Sequence, residues 1–209
     1  MQGSDVLTAA ATVVGTLDAH VDADWSVPVP ELDFTVASVL AHASGSALFY
    51  SVDLWADPAD WTGPNEDPFE ARARTDVANR IILGGVTASA RTLAAAIDAA
   101  PFGTRGVHPF GSPDPAGFAA MACDELLVHG NDAARGLGVA VEPDRDIAAR
   151  VLARLYPWHS CGPDEDPWVV LLWANGRLDL PSRPTQQRWR WHSAPLDEWD
   201  GQPPGVVSA

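Results

Sequence analysis

The chain has 209 residues, 46% of them hydrophobic, and a formal net charge of −15 from 28 acidic side chains against 13 basic ones. A chain of this length and apolarity buries one substantial core, and so acidic a surface argues against phosphate backbones and anionic bilayers as partners. Its apolar stretches break off short of the roughly 20 residues that a bilayer span needs, and Met1-Gln2-Gly3-Ser4-Asp5 lacks the basic lead of a signal peptide, so a soluble cytoplasmic protein is expected.

The first predicted helix runs from an N-cap near Ser4 to about His20, with Val6, Ala9, Ala10, Val13, Val14 and Leu17 at helical spacing. The prolines of Trp25-Ser-Val-Pro-Val-Pro30 then forbid helix continuation. A second helix starts near Asp33 or Thr35, either able to cap it, and continues through Val36, Val39, Leu40, Ala43 and Ala47 toward Trp55. Residues 56–66 read as a loop, and a third helix is expected from about Phe69 to Ala99, kinked or split at Gly84-Gly85.

The Gly/Pro-punctuated segment Pro101 to Pro115 leads to a fourth helix, about Ala116 to Leu137, with Asp114 as its cap and Gly136 and Gly138 as its stop. Cys123 lies in it among apolar neighbours and reads as a small buried hydrophobe. With Cys161 it forms no CxxC pair and no disulfide framework. A fifth helix is expected over about Arg145 to Tyr156. In the tail, the apolar run Trp168 to Ala174, the dipeptide Asn175-Gly176 and the return Arg177 to Leu180 read as a β-hairpin. The alternating Arg188-Trp-Arg-Trp-His192 reads as a further strand. The expected fold is therefore mainly α: a four-helix bundle over residues 1–140, and an α+β extension over 141–209 whose small antiparallel sheet covers Trp168, Trp173, Trp189 and Trp191.

Chemistry concentrates on the fourth helix. Glu125, His129 and Asp132 follow one another at i, i+4 and i+7, which puts them on one helical face. A carboxylate and an imidazole one turn apart can converge on a cation, and they equally form an ordinary hydrogen-bonded pair. A third ligand must come from another helix. His42, in the apolar stretch Val39-Leu-Ala-His42 of the second helix, is the best supplier, although a satisfied core histidine is the alternative. Two histidines and one glutamate suit Zn²⁺, less decisively Ni²⁺, Fe²⁺ or Mn²⁺, and leave a coordination position open for catalysis. Asp132 reads either as the acceptor of the second N–H of His129 or as part of a polar network.

Two segments carry a family resemblance. Trp25-Ser-Val-Pro-Val-Pro-Glu-Leu-Asp-Phe-Thr-Val-Ala-Ser-Val-Leu-Ala-His42 resembles the Trp…Pro-x-Pro entry into the second helix of the DinB-like superfamily. Asp124-Glu-Leu-Leu-Val-His-Gly-Asn-Asp-Ala-Ala-Arg-Gly-Leu-Gly138 is similar to the Glu…His-Gly-Trp-Asp segment of its mycothiol-dependent maleylpyruvate isomerase branch. The resemblance implies a bundle holding a divalent metal, usually zinc, through His42, Glu125 and His129. It also implies mycothiol as thiol cosubstrate in an actinobacterial cytoplasm, a setting that agrees with basic residues that are all arginine. Asn131 stands where the family commonly has Trp, which points to a remodelled pocket wall.

On this reading the protein activates mycothiol for transfer to, or isomerisation of, a small electrophile such as maleylpyruvate. The alternative is a non-catalytic metal-binding or regulatory protein on the same bundle. The expected partners are the thiol and the electrophile, with the chain a monomer or homodimer. Among Arg183, Arg188 and Arg190, whose guanidinium forks suit carboxylates, Arg190 is the candidate for substrate recognition, against ordinary strand-surface arginine. His159 and His192 read as surface or core histidines. His20 and His108 have no partner in sequence and are left out of the site.

Overall fold

The structure is a computed structural model and describes residues 1–60, 73–186 and 190–204. Helix α1 (Gly3–Asp18) buries the stripe Val6, Ala9, Ala10, Val13 and Leu17. Helix α2 (Val36–Asp53) begins at Thr35, whose hydroxyl accepts from the Ser38 amide while the Ser38 hydroxyl accepts from the Thr35 amide at 2.7 Å. This reciprocal cap satisfies two amides that the first turn otherwise leaves without partners. Helix α3 (Asn79–Ala99) runs unbroken through Gly84-Gly85. Helix α4 (Pro115–Gly136) is capped by Asp114, which accepts from the Gly117 amide, and opens with proline where no amide is needed.

These four helices form the bundle. Around it the order is α1, α3, α2, α4, with α3 and α4 diagonally opposed. Helix α3 has the length and composition of a membrane span, but its apolar stripe of Ile82, Leu83, Val86, Ala90, Leu93 and Ile97 is buried in the bundle. Helix α4 is buried along nearly its whole length and meets α1 closely at Gly130. A Cβ there would stand 2.4 Å from Cγ2 and 2.7 Å from Cγ1 of Val13. Valine in a helix has one favoured rotamer, so it cannot yield. We expect Gly130→Ala to cost about 1–3 kcal/mol through overpacking, read as a fall of several degrees in melting temperature.

Two expectations are corrected. The third helix begins at Asn79 rather than near Phe69; residues 69–72 lie outside the described residues, and 73–78 are not helical. There Arg74 reaches across two residues to Asp76 with a forked pair of hydrogen bonds at 2.8 and 2.7 Å, whereas a helix would turn those side chains to different faces. The second correction concerns the sheet: there is no β-strand among the described residues. Helix α5 (Arg145–Leu155) packs on α4, and the apolar run 167–174 is not a strand but helix α6 (Pro167–Ala174), packed on α5.

The ends of α6 explain this. Asp166 caps it, Pro167 starts it, and Asn175-Gly176 ends it rather than turning a hairpin. The Arg177 amide bonds the Leu172 carbonyl and the Gly176 amide bonds the Trp173 carbonyl, both at 2.8 Å, with Gly176 at φ 65°. This is the two-bond helix stop that requires a left-handed residue, which glycine supplies without a Cβ clash. Trp168, Trp173 and Trp191 are buried among helices and loops rather than under a sheet. Of the expected final strand, Arg188 and Trp189 lie outside the described residues, and Arg190 to His192 form no regular element and are tied to α5 through the His192 amide and the Leu155 carbonyl.

Candidate metal centre

The adjacency of α2 and α4 brings His42 over the Glu125–His129 face. Glu125 Oε2 lies 3.3 Å from His129 Nε2 and 3.6 Å from His42 Nε2. The two imidazoles meet edge to face with centroids 4.9 Å apart. One ligand atom from each of the three residues falls within 4.8 Å of the others. Glu125 and His129 are nearly enclosed, at 11% and 14% side-chain exposure, while His42 is 46% exposed, so the cluster opens to solvent past His42 and the neighbouring Phe34 ring.

Glu125 Oε2 is buried and makes no hydrogen bond among the described residues, although both imidazoles are within ion-pair range. His129 Nδ1 faces Asp132 Oδ2 at 3.1 Å. With the Nδ1 proton given to that carboxylate, a neutral His129 ring turns its Nε2 lone pair toward the Glu125 oxygen. Two lone-pair donors and a carboxylate oxygen facing one another repel unless a cation stands between them, so the donor set fits a divalent metal.

The charges here bind a proton as well. Burial works against an imidazolium at His129, but Glu125 and Asp132 outweigh it and push its pKa up to about 9. Burial likewise works against the Glu125 carboxylate, yet the two imidazoles hold it well below the usual carboxylate range. Asp132 is fully buried, and beyond His129 it is held by Arg177, whose Nε lies 3.1 Å from both carboxylate oxygens.

Arg190 does not touch this trio. Its guanidinium lies 4.7 Å from the Phe110 ring centre, one of its nitrogens donates weakly to the Pro109 carbonyl at 3.4 Å, and its buried Nε has no partner among the described residues. Phe110 and Trp191 pack against His108, which in turn meets Tyr50 on α2. His108 Nδ1 accepts from the Phe110 amide, so the ring carries its proton on Nε2. Burial pushes its pKa down to about 4, with Glu125 and Arg190 also acting on it.

The other tail residues go elsewhere. Arg183 pairs with Glu165 at 2.6 Å and lies over Trp173, and His192 Nε2 faces the Pro195 carbonyl. His159 packs among Tyr156, Trp158 and Trp173. Asn131 is buried and accepts from the Val141 amide, so its side chain ties down the chain that follows α4. Sequence reasoning passed over Arg177, His108 and Asp124. Asp124 is buried beside Glu125 and accepts from Asn175 Nδ2 at 2.8 Å and Trp191 Nε1 at 3.0 Å. Asp124 meets Asn175 and Trp191, Arg177 meets Asp132, and His108 meets Tyr50 only in tertiary structure, with no spacing signal to mark these contacts.

A family model described as the mycothiol maleylpyruvate isomerase N-terminal domain matches residues 6–134, more than half of the chain and the whole of the His42, Glu125 and His129 cluster. The chain belongs to the mycothiol maleylpyruvate isomerase N-terminal domain family. No curated protein and no solved structure matches it. The match to the isomerase domain ends before α5, so Arg177 and Arg190 lie beyond what the family model covers.

Proposed function

We propose that this protein is a divalent-metal-dependent enzyme, with zinc the favoured metal. It takes mycothiol as its thiol and transfers it to, or uses it to isomerise, a small electrophile such as maleylpyruvate, in the cytoplasm. The observation that carries this reading is the convergence of His42, Glu125 and His129 around a buried Glu125 oxygen that has no hydrogen-bond partner.

His42, Glu125 and His129 would hold the metal, whose positive charge would favour a thiolate at neutral pH. Asp132 orients His129 by accepting its Nδ1–H, which directs Nε2 to the ligand side. The exposed flank at His42 gives the thiol access. Addition of the sulfur to an activated alkene carbon turns a double bond into a rotatable single bond. Rotation and loss of the thiol then complete an isomerisation, while release of the adduct completes a transfer.

Arg190 is proposed to bind the carboxylate of the electrophile. Every other at least partly buried arginine among the described residues has a carboxylate partner, whereas Arg190 keeps a buried donor without one. A guanidinium in that state favours an incoming carboxylate.

Metal analysis joined to a thiol-conjugation assay tests the proposal. The purified protein is expected to hold about one divalent ion per chain and to consume mycothiol against maleylpyruvate or a related electrophile. His42→Ala is expected to lose both. A metal-free wild-type protein sinks the reading; metal retained with no turnover across a panel of electrophiles leaves a binding protein on the same bundle.

A further inference from the structure

The turn that ends α6 reaches α4 at two points on either side of the metal-ligand pair. Asn175 Nδ2 donates to Asp124 Oδ1 at 2.8 Å, one residue before Glu125, and the Asn175 side-chain oxygen accepts from the Tyr156 hydroxyl at 2.9 Å. Two residues on, Arg177 Nε reaches both oxygens of Asp132, three residues after His129, while another of its nitrogens donates to the Asn175 backbone carbonyl at 3.0 Å. Asp132 has no exposed side-chain surface and Arg177 has 15%. The left-handed Gly176 and the two-bond stop of α6 fix where Arg177 leaves the helix.

We propose that Arg177 is a positioning residue for the metal centre, which holds the Asp132 carboxylate in the one orientation that clamps His129 Nδ1 and so aims Nε2 at the ion. The inference rests on the metal reading above. Its physical basis is the partner count of Asp132. That carboxylate touches His129 on one side and Arg177 on the other, in a position closed to water. With Arg177 removed, only His129 restrains it. The carboxylate then turns toward other donors, and the imidazole loses the contact that sets its plane. Outer partners of a metal-bound histidine commonly contribute 10–100-fold to affinity. A residue one contact further out should stand at the lower end, about tenfold. The metal site would thereby depend on the chain after α4: α6 must be seated for His129 to be aimed.

The test is a double-mutant cycle on metal binding. Zinc affinity by chelator competition and the visible spectrum of the Co²⁺-loaded protein are measured for wild type, Arg177→Met, Asp132→Asn and the double variant. The expected result for Arg177→Met is about tenfold weaker zinc binding and a shifted cobalt spectrum, with no further loss when Arg177→Met is added to Asp132→Asn. Arg177→Met within twofold of wild type and with an unchanged cobalt spectrum overturns the proposal. So does an equal loss in both backgrounds, since Arg177 then does not act through Asp132. A merely structural role would lower the melting temperature and leave the spectrum of the folded, loaded variant in place. Should Arg177→Met alone not fold, the double variant, which leaves no buried carboxylate charge at position 132, is compared with Asp132→Asn, and any further loss of zinc affinity overturns the proposal. Wild-type protein that takes up neither ion refutes the metal reading itself, an outcome distinct from failure at Arg177.

Discussion

Replacing Glu125 by glutamine is expected to weaken zinc binding by more than about 100-fold, beyond the range usual for outer partners, while the helical signal in circular dichroism is retained. Glutamine keeps the shape of the side chain but offers a neutral oxygen to the cation. The retained fold is expected because Glu125 holds no hydrogen bond through the oxygen that faces the two imidazoles. The pH dependence follows from His129. Its proton must leave before Nε2 can serve a metal, and in the metal-free protein its pKa is pushed up to about 9, with burial opposing and Glu125 and Asp132 prevailing. Apparent zinc affinity should therefore climb by about tenfold per pH unit through neutrality and level off near pH 9, with proton release on binding. Glu125→Gln removes one of the charges that hold the proton, so the levelling point should move to lower pH. Calorimetry in two buffers of different ionisation heat reads the released proton. An affinity flat from pH 6 to 9 would count against the assigned ligand.

The bundle was legible because its boundaries are written in local chemistry. Thr35 with Ser38, Asp114 with Pro115, and the 3.6-residue stripes of α1 and α4 each need only near neighbours to act. The clustering of His42, Glu125 and His129 was half legible in the same way, since i, i+4 spacing aligns Glu125 with His129, while His42 came from an apolar setting and a family resemblance. Helix α6 was misread because Pro-Trp-Val-Val-Leu-Leu-Trp-Ala is apolar all round and shows neither period, and because Asn-Gly satisfies a left-handed position equally in a hairpin and after a helix. The length of the run, eight residues, suits either element. Arg177 followed it into error: as a strand residue it would be surface, whereas after a helix stop it is delivered to Asp132.

His108 should make the protein lose stability in acid relative to a variant without it. Burial pushes its pKa down to about 4 from an ordinary 6.5, Glu125 favours its charged form and Arg190 disfavours it. The folded chain therefore holds this imidazole neutral at a pH where the unfolded chain protonates it. A depressed histidine contributes stability that is complete above about pH 6.5 and is lost as pH falls toward 4, because the unfolded state then binds the extra proton. The full window corresponds to about 3.5 kcal/mol at most, from about 1.4 kcal/mol per pH unit. His159, pushed down to about 4 by burial with Arg183 nearby, adds to the same window. Asp124, whose carboxyl burial pushes up to about 7, takes up its proton in the folded chain over the same window and opposes this loss. The reading is therefore the difference in melting temperature between proteins: between pH 6.5 and 4 the wild type should lose stability relative to His108→Gln, which carries some cost in packing against Tyr50, Phe110 and Trp191. An identical slope in the variant would mean that His108 is not held neutral in the folded state. A cation bound at Glu125 cancels a nearby charge that favours His108 protonation, so metal loading should leave that difference in place or widen it. A metal that instead abolished the difference would place the acid-sensitive proton in the ligand cluster rather than in the aromatic pocket beside it.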